Sequence, residues 1–163
     1  MQSRSPIRAA RRPPPLPLFV YGSLRCGHRA HRRYCRSLAA VIPATAWGRC
    51  RQLASGYPIL HLPPRAILAA AGPSPERDAE LAAQIAVPPA WDRRPPGDWR
   101  PIAGELLLLT DPGRALPAID RYEGCHPGSR GPYRRVLTAV ATAAGPRLAW
   151  AYCAAGRAAV QRR

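Results

Sequence analysis

Leu18-Phe19-Val20-Tyr21 is a short apolar run stopped by Gly22, a pattern that predicts a strand closed by a turn. From His28 to Ala39 the period changes. Ala30, Tyr34, Cys35 and Leu38 recur at near-helical spacing with arginines between them, which predicts one amphipathic helix. The first unit therefore reads strand, glycine turn, helix. Ala44 to Leu53 reads as a second strand, and Tyr57 to Leu62 as its continuation after a turn at Gly56. Residues 63–101 lose this order and become rich in proline, glycine and charge, the character of a lid, an insertion or partial disorder. One short helix is expected inside them, from Pro75 to Ile85, with Ser74 as its N-cap.

Order resumes at Ile102. Gly104 to Thr110 is apolar almost throughout, which predicts a strand buried on both faces. Asp111 is placed to cap a helix that starts at Pro112, turns Leu116 and Ile119 inward and stops near Tyr122, before Gly124. Tyr133 to Thr142 and Arg147 to Cys153 read as a hairpin around Ala144-Gly145-Pro146. Several strands with two main helices make an α+β domain built on a small curved or barrel-like sheet. Residues 1–16 read as a disordered basic tail ending in Pro13-Pro14-Pro15. Residues 17–155 read as the folded domain, with 63–101 as an irregular insertion, and 156–163 as a C-terminal tail.

Composition narrows the setting. In 163 residues there is room for one ordinary domain. No apolar run approaches the roughly 20 residues of a membrane span, and the start lacks the apolar core of a signal peptide. Five cysteines, odd in number and nowhere spaced C-x-x-C, argue against a disulfide framework and a structural zinc site. A soluble protein of the reducing cytoplasm is expected. The net charge is +16 and every basic residue is arginine. Such charge attracts phosphates, yet it is scattered from end to end, which makes nucleic acid the less favoured partner.

Nine carboxylates bound the acid–base candidates. Glu76, Asp78, Glu80, Asp92 and Asp98 fall in the irregular stretch and are expected on solvated surface. Asp111 has a capping role, and Glu105 opens a buried strand as a paired structural acid. Asp120 and Glu123 remain, at i,i+3 spacing on the second helix. Glu123 stands at the negative end of that helix, where the dipole and partial burial both raise a carboxyl pKa toward neutrality. A helix-end glutamate paired with one of the many arginines is the competing reading. At Tyr21-Gly22-Ser23-Leu24 a strand ends just before a helix, leaving backbone N–H groups for a carboxylate or an oxyanion. Ser23 lacks a G-x-S-x-G elbow and a histidine base. His28, His31, His61 and His126 share no metal-ligand spacing, and Cys26 and Cys125 have no identifiable base partner.

In this order the motifs resemble the gamma-glutamylcyclotransferase-like family, including its gamma-glutamylamine and plant avirulence-induced branches. The residues concerned are Phe19-Val20-Tyr21-Gly22-Ser23-Leu24-Arg25, Tyr57-Pro58, Gly104-Glu105-Leu106, Asp120-Arg121-Tyr122-Glu123-Gly124 and Tyr133-Arg134-Arg135. The resemblance implies Glu123 as the catalytic acid–base. It implies Tyr21, Gly22, Ser23 and Leu24 as substrate-binding, with Tyr133 lining the cavity and Arg135, rather than Arg134, as the family arginine. It further implies a small gamma-glutamyl substrate, release of 5-oxoproline, and neither metal nor cofactor. Residues 63–101 and the loop from Cys125 to Pro132 are longer than compact members need, which leaves the substrate open. Two other classes stay in view: a non-catalytic binder of a small metabolite on the same fold, and a basic nucleic-acid-associated protein. Oligomeric state is not readable from these features.

Overall fold

Leu16, Leu18 and Phe19 are wholly buried, because the strand they form, β1 (Leu16–Val20), has a neighbour on each side. In the computed structural model, which describes residues 12–125 and 130–155, β1 runs antiparallel to β5 (Arg100–Leu109) and parallel to β7 (Gly145–Ala154). On one flank β5 pairs with β2 (Leu38–Gln52); on the other β7 pairs with β6 (Tyr133–Thr142). A bridge between Thr45 and Ala141 joins β2 to β6 and closes a five-stranded barrel. Two short strands extend it, β3 (Pro58–His61) beside β2 and β4 (Ala69–Ala70) beside β6. The α+β, barrel-like architecture expected from the sequence is the observed one.

Strand alternation divides the core in two. Phe19, Leu106, Val136, Val140, Ala149 and Ala151 fill one cluster; Leu18, Leu107, Leu137 and Trp150 point into the other, which is covered by helices. This is why Leu106 to Leu109 reads as an unbroken apolar run: both faces of β5 are covered there. Gly104 permits the tight crossing of β1, since a Cβ there would collide with the Val20 carbonyl and the Phe19 ring.

The covering helices are α2 (Pro75–Gln84) and α3 (Pro112–Tyr122). Both begin as their capping residues predict: Ser74 accepts the Arg77 N–H at 3.4 Å and Asp111 the Arg114 N–H at 3.3 Å. Leu116 and Ile119 are fully buried, and Gly124 takes the left-handed conformation (φ 67°) that ends α3.

Three expectations need correcting. The helix foreseen from His28 to Ala39 is only α1 (Arg29–Tyr34). Ser37 turns the chain at φ 59°, and its carbonyl accepts both the N–H (3.0 Å) and the hydroxyl (2.6 Å) of Thr110. Leu38 and Ala39 are thereby drawn into β2, pairing that a local helical period does not reveal. Asp78, expected on solvated surface, is 3 % exposed and ion-paired, because α2 packs on β1, β7 and α3 rather than hanging free. Glu105, expected as a paired acid, accepts the backbone N–H of Cys26 at 2.6 Å. Of residues 63–101, β4 and α2 thus belong to the folded body. Near its end, Asp98 pairs with Arg49, whose guanidinium lies 4.0 Å from the Trp99 ring. Most of the foreseen N-terminal tail and all of 156–163 lie outside the described residues. No helix among the described residues is long and apolar enough to cross a membrane.

Candidate active site

Beyond β1 the chain makes a turn through Gly22 to Gly27, and several groups hold it. Arg25 N–H donates to Gly22 O at 3.1 Å, the Glu105 carboxylate anchors Cys26, and His31 Nδ1 lies 2.8 Å from Leu24 O. A carbonyl only accepts, so Nδ1 of His31 carries a proton. The N–H groups of Gly22, Ser23 and Leu24 have no acceptor among the described residues. A turn pinned at its flanks with open N–H groups can receive a carboxylate or stabilise an oxyanion without reorganising.

Facing this turn is the end of α3. Glu123 is its C-terminal cap, its N–H donating to Ile119 O at 2.9 Å. The turn and Glu123 line the same cavity of about 300 Å³, whose walls include Tyr21, Tyr57, Tyr122, Tyr133 and Tyr152. Burial raises the Glu123 carboxyl from the ordinary 4.5 to about 7, with the charge of Asp120 one helical turn away adding to the rise. No arginine among the described residues forms an ion pair with Glu123, so the surface-pair reading does not describe it.

Behind the cavity lies a largely buried ion network. Arg135 donates from one nitrogen to Asp120 and from the other to Asp78 Oδ2 at 2.7 Å, while Tyr152 donates to Asp120. Trp150 Nε1 donates to the Asp78 backbone oxygen at 3.0 Å. The network binds β6 and β7 to α2 and α3, and so fixes the helix end that carries Glu123.

The structure therefore brings six of the seven foreseen site residues to one cavity: Tyr21, Gly22, Ser23, Leu24, Tyr133 and Glu123. Arg135 is not among them. It is 5 % exposed and lies within the ion network, where it ties β6 to α2 and α3. Ser23 Oγ sits 2.7 Å from Tyr122 Oη, and among the described residues no histidine or carboxylate hydrogen-bonds to it. Burial pushes the Cys125 thiol up and carries that of Cys35 to about 12, so neither is a ready thiolate. Tyr152 and Asp78 were missed by sequence reasoning. Tyr152 is one of several alternating residues in a strand, and Asp78 looks like any helical surface acid, so neither carries a local signal.

A protein-family model described as gamma-glutamyl cyclotransferase, AIG2-like, matches residues 80–163, just over half of the chain. The chain belongs to that family. The match takes in Asp120, Glu123, Tyr133, Arg135 and Tyr152, but not the turn at Tyr21 to Leu24. In this gamma-glutamyl cyclotransferase-like protein the turn joins the matched half through the pairing of β1 with β5 and β7. No curated protein matches the chain.

Proposed function

We propose that residues 17–155 form a cytoplasmic enzyme that releases 5-oxoproline from a small gamma-glutamyl amine or peptide. One observation carries this reading: a single carboxyl raised to about 7 faces a turn of open backbone N–H groups across a small cavity. The reaction is an intramolecular aminolysis. The substrate's α-amine attacks its own γ-carbonyl, a C–N bond forms in the five-membered ring, and the original γ-amide C–N bond breaks. Because the substrate supplies the nucleophile, serine, cysteine or metal activation is not required.

The chain then has three tasks. The cavity walls hold amine and carbonyl within reach, the proximity contribution. Glu123 takes a proton from the α-ammonium and returns it to the departing nitrogen; a group titrating near 7 is suited to both transfers at neutrality. The N–H groups of Gly22, Ser23 and Leu24 receive the tetrahedral oxyanion. Tyr133, whose hydroxyl donates to Pro58 O at 2.7 Å, forms a fixed wall rather than a proton relay.

A panel of gamma-glutamyl amides and dipeptides, assayed for 5-oxoproline with Glu123→Gln as control, tests the assignment. Absence of product across the whole panel would overturn it in favour of a binding protein. A pH profile gives a second check. Glu123 must be ionised to accept the proton, so kcat/KM is expected to fall on acidification through about pH 7 with unit slope. A profile flat from about pH 5 to about pH 8 would remove Glu123 from the proton transfer.

A further inference from the structure

The cavity beside Glu123 is walled by aromatic rings whose hydroxyls are already taken up by the protein. Tyr21 donates to Tyr152 O at 2.9 Å and accepts the Leu60 N–H at 3.2 Å. Tyr133 donates to Pro58 O at 2.7 Å, Tyr122 pairs with Ser23 Oγ at 2.7 Å, and Tyr152 donates to Asp120. What these residues offer a ligand is therefore ring surface. The polar groups left to a ligand are Glu123, the N–H groups of the turn, and Ser55 and Arg121 in the lining.

Tyr57 differs from the other four. It lines the same cavity, yet it is 60 % exposed, and its hydroxyl makes no hydrogen bond among the described residues. A lone exposed ring on an open surface needs no explanation, but the backbone that carries this one is held in place. Tyr57 O accepts the Leu53 N–H at 2.8 Å, Leu53 O accepts the Gly56 N–H at 2.8 Å, and Gln52 Nε2 donates to Gly56 O at 3.1 Å. Gly56, at φ 85°, supplies the left-handed step the turn requires. A hydrogen-bonded turn thus presents a largely exposed aromatic ring at the rim of an apolar-walled cavity.

We propose, resting on the cyclotransferase reading above, that the preferred substrates are gamma-glutamyl amides whose leaving amine bears a compact, uncharged apolar or aryl group. Tyr57 selects them by packing its ring on that group. The cavity of about 300 Å³ stands at the low end of ligand sites, which run from about 300 to 1,000 Å³, so a long peptide does not fit inside it. A cationic leaving group would approach a chain of net charge +16. A leaving group with a carboxylate would have Arg121, but that side chain is exposed on the ridge shared with a second concavity. In the reaction the α-nitrogen bonds to the γ-carbon, and the γ-amide bond breaks. The proton lost by the α-ammonium passes through Glu123 to the leaving nitrogen, giving 5-oxoproline and a free aryl- or alkylamine.

The test compares gamma-glutamyl benzylamide, gamma-glutamyl methylamide and gamma-glutamylglycine as substrates of the full chain and of its Tyr57→Ala and Tyr57→Phe variants. The benzylamide is expected to exceed the methylamide in kcat/KM by about tenfold, the scale of one aromatic packing contact. Tyr57→Ala should erase that advantage through KM, bringing the benzylamide down to the methylamide, whereas Tyr57→Phe should keep it. Equal turnover of all three substrates, insensitive to Tyr57→Ala, overturns the proposal. So does a preference for gamma-glutamylglycine that Arg121→Ala abolishes. Calorimetric binding to Glu123→Gln separates this inference from the reaction itself. If no substrate is turned over, the cyclotransferase reading fails; tighter benzylamide binding that Tyr57→Ala removes still upholds the ligand class, and equal binding of benzylamide and methylamide overturns it.

Discussion

Glu123→Gln is expected to lower kcat/KM for a gamma-glutamyl amide by about 10²–10⁴-fold while the barrel stays folded. Glutamine keeps the shape and the hydrogen-bonding reach of the side chain but cannot carry a proton between the two nitrogens. The same substitution has a predicted effect on stability, of opposite sign. In the folded chain the carboxyl is raised from 4.5 to about 7, so the folded state binds its proton more tightly than the unfolded one. Its favourable contribution is complete below about pH 4.5 and is lost as pH rises through about 7, where the buried group must ionise. That loss amounts to roughly 3 kcal/mol, at about 1.4 kcal/mol for each pH unit of displacement. Glutamine never ionises. The variant should therefore gain stability over the parent at about pH 8–9 and show little gain at about pH 5, as read from urea midpoints at each pH. Loss of activity joined to stabilisation at high pH is the mark of a strained functional group. Equal turnover in both proteins, or a variant destabilised at every pH, would contradict the assignment.

Arg135→Met is expected to cost about 3–5 kcal/mol of folding stability. Arg135 is the shared partner of two carboxylates, with side-chain exposures of 4 % for itself, 4 % for Asp78 and 16 % for Asp120. Removing it leaves both acids in a low-dielectric site where each must be protonated or remain an unpaired charge. Arg135→Lys should recover part of the loss, since it restores the charge but not a planar fork able to reach α2 and α3 together. A fall of less than about 1 kcal/mol in the methionine variant, measured by urea unfolding, would show that the network contributes little. Because Arg135 does not line the cavity, a substitution that acts only on substrate binding, with stability unchanged, would also contradict this placement.

Much of the fold could be read along the chain, for local reasons. The start of α3 follows from Asp111 and Pro112 and its end from Gly124; the start of α2 follows from Ser74 and Pro75. Each is set by groups within four residues of one another. The hairpin of β6 and β7 follows from two apolar runs on either side of Gly145, which takes a φ of 113°. The failure at residues 35–39 has a different origin. Apolar positions there satisfy a helical period, yet the Ser37 carbonyl is claimed by Thr110, 73 residues further on.

Glu123 shows the same division within one residue. The sequence by itself determined that a carboxylate ends a capped helix, that few other acids compete with it, and that the surrounding motifs are those of a cyclotransferase-like chain. It left open whether an arginine neutralises that carboxylate. Only the tertiary structure decided this, by turning Arg135 to Asp120 and to Asp78, a residue 57 positions earlier, and by bringing Tyr21 and Tyr133 to the cavity that Glu123 lines. Capping and turn chemistry act between near neighbours and leave their trace in sequence. Burial, and the proton affinity it confers, depends on which distant segments pack together, and no local pattern encodes that.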